Sequence, residues 1–239
     1  MSVPNTPEGH PFGTPASFCN TMTRSFDNRI PPDVRAIIAE ECILPLGLGP
    51  RVLDLGCGPG LWLREVASLR SDVTVVGYDR DADMLTSAAS LGIAQAEWVR
   101  ADMSGKDFTL PPASADVIAM HFFFHFFDDP RHLLGTVRKA LKPGGSLVIT
   151  GWVRSSLEAF LRFMGTVPPE GEQPGRSAEG DPEVRAWRMY AGFNRYTPAD
   201  IRWLLTREGF TVRRDAQYSE YFAYTIAGTS ADTGMDIAK

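Results

Sequence analysis

The sequence predicts an α/β protein: a doubly wound, mostly parallel sheet covered by helices and finished by an antiparallel hairpin. Three observations predict it. Short apolar runs alternate with stretches of helical spacing from Arg51 to Gly151. The runs are apolar throughout rather than on alternate residues, as strands covered on both faces are. Two closing strand patterns, 210–217 and 220–227, are too close in sequence for a crossover helix and so pair as a hairpin at the sheet edge.

Residues 1–17, with Pro4, Pro7, Pro11 and Pro15, read as a flexible arm. Residues 18–50 follow as N-terminal helices. Pro31-Pro32-Asp33 opens the firmer one, with Val34, Ile37 and Ile38 on one face. The core occupies 51–151, with strands at 52–55, 73–78, 96–100, 116–120 and 146–151. Helices are expected at 61–69, 81–91 and 130–141, and a turn at Lys142-Pro143-Gly144-Gly145. Residues 152–196 interrupt the alternation as a cap or lid insertion, with helices at 155–165 and 183–191. Between them, 168–182 holds seven Pro or Gly in fifteen residues and reads as a loop. Residues 197–229 complete the core: Thr197-Pro198-Ala199-Asp200 spells a helix start, and the hairpin follows. Residues 230–239 are a flexible tail.

Composition excludes whole classes of function. The chain has 239 residues, 44% apolar and 22% charged, enough for a sizeable core. Its 24 Lys+Arg against 29 Asp+Glu give a net charge of −5, so no nucleic acid partner is expected. No apolar run reaches the roughly 20 residues that span a bilayer, so no membrane partner is expected either. The first residues lack the pattern of a signal or transit peptide. Cys19, Cys42 and Cys57 are too few and too scattered for a disulfide framework or a thiolate metal site, and no metal is expected. A cytoplasmic protein, monomeric or homodimeric, is the expectation.

Val52-Leu53-Asp54-Leu55-Gly56-Cys57-Gly58-Pro59-Gly60 is the most informative stretch. A buried strand ends in a tight glycine turn and enters a helix, at the strand end where open α/β sheets bind ligands. Leu61 stands where a dinucleotide fingerprint needs its third glycine, and no Lys-Ser or Lys-Thr follows as a P-loop requires. The stretch resembles motif I of the class I S-adenosylmethionine-dependent methyltransferases. The resemblance runs over 50–151 and resumes weakly at 196–227. It implies a Rossmann-like seven-stranded sheet with a helical cap, and S-adenosyl-L-methionine as cofactor.

The same resemblance implies a set of cofactor-binding residues. Asp54, Gly56, Cys57, Gly58 and Gly60 would wrap the methionine part, with Cys57 a packing residue rather than a nucleophile. Asp79 would hold the ribose hydroxyls; neighbouring Asp81 is its rival, with a helix N-cap as its alternative role. Arg80 and Met84 would pack on the adenine. Asp102 would accept from the adenine amino group and Met103 would lie on the ring, unless Asp102 is a solvated loop acid.

The segment from Met120 to Pro130 resembles the version of the fourth strand seen in small-molecule and quinone-precursor methyltransferases. It carries His121 and His125 among five phenylalanines. Both histidines are candidate catalytic bases, with His121 also beside the cofactor, because a neutral imidazole can take a proton from an attacking acceptor. The alternative is that either is structural. Phe124, Trp152, Phe163, Trp187, Tyr190 and Arg195 are candidate substrate contacts, and Arg154 and Arg188 join Arg195 as possible carboxylate binders. The expected acceptor is an apolar or aromatic small molecule of secondary metabolism, methylated on oxygen first, then carbon or nitrogen. A non-methylating enzyme of the same fold, or a non-catalytic binding module, is the alternative.

Overall fold

The computed structural model describes residues 15–163, 182–193 and 196–229. The chain enters through α1 (Pro15–Arg24), α2 (Phe26–Arg29) and α3 (Pro32–Ile38), which widens into a π-helical turn at Ala39–Ile43. Helix α1 starts inside the stretch expected to be arm; the rest of that stretch, 1–14, lies outside the described residues, as do the loop at 168–181 and the tail from 230 on.

The core then alternates β1 (Arg51–Leu55), α4 (Leu61–Leu69), β2 (Thr74–Asp79), α5 (Ala82–Ala89), β3 (Ala96–Arg100), β4 (Ala115–His121), α6 (Arg131–Ala140) and β5 (Leu141–Trp152). Then come α7 (Leu157–Phe163) and α8 (Pro182–Phe193), the two helices expected in the 152–196 interruption. Helix α9 (Pro198–Arg207), β6 (Thr211–Gln217) and β7 (Phe222–Gly228) complete the fold.

The sheet has seven strands in the order β3-β2-β1-β4-β5-β7-β6. β3, β2, β1, β4 and β5 run parallel, and β7 pairs antiparallel with both β5 and β6. The hairpin therefore sits at the edge with β6 outermost. Side chains alternate between two apolar layers: Leu53, Leu55, Ile118 and Met120 pack with α6 and α9, while Val52, Val117 and Ala119 pack with α3 and α4. This double burial is why the strands lack a polar face.

Two local expectations differ. Lys142-Pro143-Gly144-Gly145 is drawn into the start of β5, because Leu141 already pairs with Ala115 and a register shift between Ala115 and Val117 absorbs the Pro-Gly pair. Asp81 caps α5, accepting from the Asp83 and Met84 amides, the role weighed for it as an alternative. The start of α9 carries the full capping box between Thr197 and Asp200 that its sequence spells.

Chain order reverses between β1 and β4, since β1 leads outward to β2 and β3 while β4 leads the other way. The crevice at such a switch point is where open α/β sheets take ligands. The glycine turn leaves β1 there, and His121 ends β4 beside it. Asp54 pairs in register with Ala119, two residues before His121.

Candidate active site

The glycine turn is held from below. The amides of Gly56 and Cys57 both donate to the Tyr78 carbonyl, at 2.8 and 3.0 Å. Gly56 has φ +78, and a Cβ there would lie 2.5 Å from the Phe123 ring. Gly60 and Gly77 meet Trp98 in the same way, at 2.8 and 2.5 Å. Gly58 is different: its φ is +51 and a Cβ would meet nothing within 4 Å. Aromatic rings thus press the turn into shape from inside, and its backbone is bare at Gly58.

Two carboxyl groups and a thiol meet at this turn: Asp54 and Cys57 are buried and Asp79 is half-buried. Asp54 is only 2% exposed, and its Oδ1 has no hydrogen-bond partner. Burial, and then the Asp79 charge, push its carboxyl well above the usual carboxylate range. Such a group is costly unless something binds it. Asp79 is not aimed freely at solvent: Oδ2 accepts from the Gly58 amide and Oδ1 from the Asp81 amide, both at 2.9 Å. It pins the glycine turn to the end of β2, and each oxygen keeps a further lone pair for a ligand. Burial pushes the Asp79 carboxyl up, against these two amide bonds. Burial also pushes the Cys57 thiol well up, which keeps its reactive thiolate scarce.

His121 is buried against Trp62, with ring centroids 4.5 Å apart. Its Nδ1 meets Thr150 Oγ1 at 2.9 Å, and its Nε2 has no partner. Burial, and then the Arg29 charge, hold its pKa down to about 3, so the imidazole is neutral at working pH. His125 is also buried, in the 3-10 turn Phe124–Phe126, beside the Phe126 ring. The three phenylalanines between them pack in different directions. Phe122 has φ +54, uncommon for a bulky residue, and turns its ring toward Phe222 and Trp152. Phe123 goes under Gly56, and Phe124 packs on Tyr196.

The remaining expected residues divide. Met84 is already buried at 1% exposure, and Met103 is buried too. Arg80 is exposed. Asp102 is also exposed, its carboxyl held below the usual range by the Ser104 hydroxyl and amide. Trp152 and Phe163 do come together, 5.2 Å apart, joined by Phe222 and Tyr221. Tyr190 rests on Phe160, and Trp187 is 48% exposed on α8. Arg195 and the Arg188 side chain lie outside the described residues.

Sequence reading missed Arg29. Its guanidinium lies 5.0 Å over the Phe122 ring. Nε donates to Ser25 Oγ and Nη2 to the Met22 carbonyl, both at 3.0 Å. Among the described residues it has no carboxylate partner, and burial lowers its pKa to about 10. No signal near Arg29 marks it, because its neighbours His121 and Phe122 are some ninety positions away. A buried carboxyl with one unpartnered oxygen (Asp54) and a half-buried guanidinium with no carboxylate partner among the described residues (Arg29) thus border the carboxyl end of β4.

These residues fit S-adenosylmethionine, whose amino-acid end carries an ammonium and a carboxylate. Residues 26–214 match the model of a methyltransferase domain. The chain is 35% identical over 106 residues to a trans-aconitate 2-methyltransferase of Azoarcus sp., covering 44% of this chain and 40% of that one. It is 26% identical over 180 residues to a ubiquinone biosynthesis O-methyltransferase of Xylella fastidiosa, covering 71% and 72%. The chain spans about two fifths to three fifths of the length of the first curated relatives it matches. A solved S-adenosylmethionine-dependent methyltransferase from Aquifex aeolicus shares the fold, with TM-score 0.63 at 20% identity over 90% of this chain and 98% of that one. The chain belongs to the class I S-adenosylmethionine-dependent methyltransferase family.

Proposed function

We propose that the protein transfers a methyl group from S-adenosylmethionine to an oxygen of an apolar or aromatic small molecule. One observation carries the reading. An unpartnered carboxylate oxygen and an unpartnered imidazole nitrogen, Asp54 Oδ1 and His121 Nε2, stand at the neighbouring carboxyl ends of β1 and β4. When bound, the cofactor supplies a methyl on a sulfonium, and the breaking bond's electron pair returns to sulfur.

The chain's own residues do the rest. Asp54 takes the ammonium and Arg29 the carboxylate, so that a zwitterion satisfies two charges the fold leaves open. Gly58 lets the amino-acid part lie against bare backbone. Asp79 keeps the turn in place and offers its spare lone pairs to the ribose. Holding both reactants in line is the main contribution, worth up to about 7–11 kcal/mol in well-oriented systems. His121 Nε2 orients the acceptor hydroxyl and takes its proton. An oxygen that has just gained a methyl is strongly acidic, so even a base held near 3 accepts that proton. The rings of Trp152, Phe163, Tyr221 and Phe222 supply the apolar side of the site. An aromatic acceptor is supported by these rings and by the ubiquinone-pathway relative.

The reading is tested by incubating the protein with methyl-labelled S-adenosylmethionine and a panel of phenols and carboxylic acids, followed by mass spectrometry. Label on oxygen of an aromatic member is expected. Acceptor turnover with the cofactor unchanged would instead mark a non-methylating enzyme.

Affinity for S-adenosylhomocysteine is expected to weaken as pH falls. In the free protein Asp54 titrates above the usual range, whereas the ammonium holds it ionised in the complex. Below the raised pKa the ligand must displace a proton, so Kd rises by up to about tenfold per pH unit. Above it Asp54 is already ionised and adds no pH dependence. Calorimetry at several pH values reads this directly. Asp54→Asn should weaken binding by about 1–3 kcal/mol and flatten the dependence. A wild-type Kd whose pH dependence is no steeper than that of Asp54→Asn would remove Asp54 from the ammonium site.

A further inference from the structure

Helix α2 ends at Arg29, and the last carbonyls of a helix have no partner within it. Here the following chain offers little help, since Pro31 and Pro32 carry no amide hydrogen. The donor comes from the other end of the molecule: the Tyr218 hydroxyl donates to the Arg29 carbonyl at 2.5 Å. Tyr218 is well fixed for this. It follows β6 directly, its amide donates to the Phe222 carbonyl at 3.0 Å, and its ring stacks on Tyr224 with centroids 6.3 Å apart. Burial pushes the phenol pKa up, so the hydroxyl remains a donor at working pH.

The guanidinium of the same residue is aligned by groups of the N-terminal helices, Ser25 Oγ and the Met22 carbonyl, and by the Phe122 ring. A shift of the α2 end would carry the cation off that ring. Tyr218 touches Arg29 at its backbone and takes up none of its guanidinium N–H groups.

We propose that Tyr218 is a positioning residue: its hydroxyl clasps the Arg29 carbonyl and so sets the guanidinium where the cofactor's carboxylate arrives. This rests on the assignment of Arg29 made above. It ties the hairpin at the sheet edge to the cofactor site through the Arg29 backbone.

Tyr218→Phe removes one oxygen and keeps the stack. Binding is measured for S-adenosylhomocysteine and for 5′-methylthioadenosine, which has the same nucleoside and thioether but no amino-acid end. The variant should weaken S-adenosylhomocysteine roughly tenfold and leave methylthioadenosine unchanged. In an Arg29→Ala background it should add nothing. The ratio of the two Kd values is the readout, so it holds even if the variant melts at a lower temperature. Equal weakening of both ligands, no weakening of either, or full additivity with Arg29→Ala overturns the role of Tyr218 alone. If Arg29→Ala itself leaves S-adenosylhomocysteine affinity untouched, the assignment of Arg29 falls, and the proposal with it.

Discussion

Gly56→Ala is expected to destabilise the protein by about 2–5 kcal/mol and to abolish measurable cofactor binding. The first part adds two costs: a left-handed φ for a residue with a Cβ, and forced contact in a packed core. The contact cannot be relieved cheaply. The new Cβ would sit 2.5 Å from Cδ2 and 2.6 Å from Cγ of Phe123, near the root of a ring that is itself packed edge-on against Phe127 at 5.0 Å. The turn must therefore move, and the Gly58 amide moves away from Asp79 with it. Gly58→Ala is the control. Its Cβ meets no protein atom, so only the left-handed strain of about 1–2 kcal/mol remains, while the space beside the backbone is filled. Thermal melts and calorimetry on the two variants should separate: both lose the ligand, but Gly56→Ala loses far more stability. Equal melting temperatures would mean that Phe123 does not brace the turn.

His121→Asn should lower kcat by about 100-fold and leave cofactor affinity within about threefold, because the imidazole acts on the acceptor's proton and not on the nucleoside. The pH profile carries further information. A histidine with an ordinary pKa would give an acid limb near neutrality. His121 is held near 3, so its neutral form persists and kcat should stay level from about pH 8 to about pH 5. The stability term has the opposite course. The unfolded chain binds a proton at this histidine below about pH 6.5 and the folded chain does not, so stability falls by up to about 1.4 kcal/mol per pH unit from there toward 3. A kcat unmoved by the substitution, with folding intact, would leave His121 a packing residue. An acid limb near pH 6.5 that vanishes in the variant would show that the histidine titrates in the turnover complex.

The alternation of strand and helix was legible because it is written in local residue choice. The β-branched run before Asp79 and the glycine turn after Leu55 each need only their immediate neighbours. Helix α4 and strand β3 fall at the expected boundaries for that reason. What stayed hidden depends on contacts between residues far apart. Nothing near Gly56 announces Phe123, nor does Arg29 announce its place over Phe122. The left-handed backbone of Phe122 runs against local preference and is held by its ring's packing on Phe222. Asp79 was legible as a residue with a role; its bond to the Gly58 amide was not, since that needs the β1–β2 register.

The position of β7 has a consequence for synthesis on the ribosome. Of the seven strands it is made last, yet it lies between β5 and β6. A nascent chain that has emerged only as far as β6 exposes the outer row of β5 amides and carbonyls, and its β6 has no neighbour to join. Premature termination or slow translation before Phe222 should therefore yield sticky intermediates that need chaperones. The sheet's long open flank closes only when the final strand slots in.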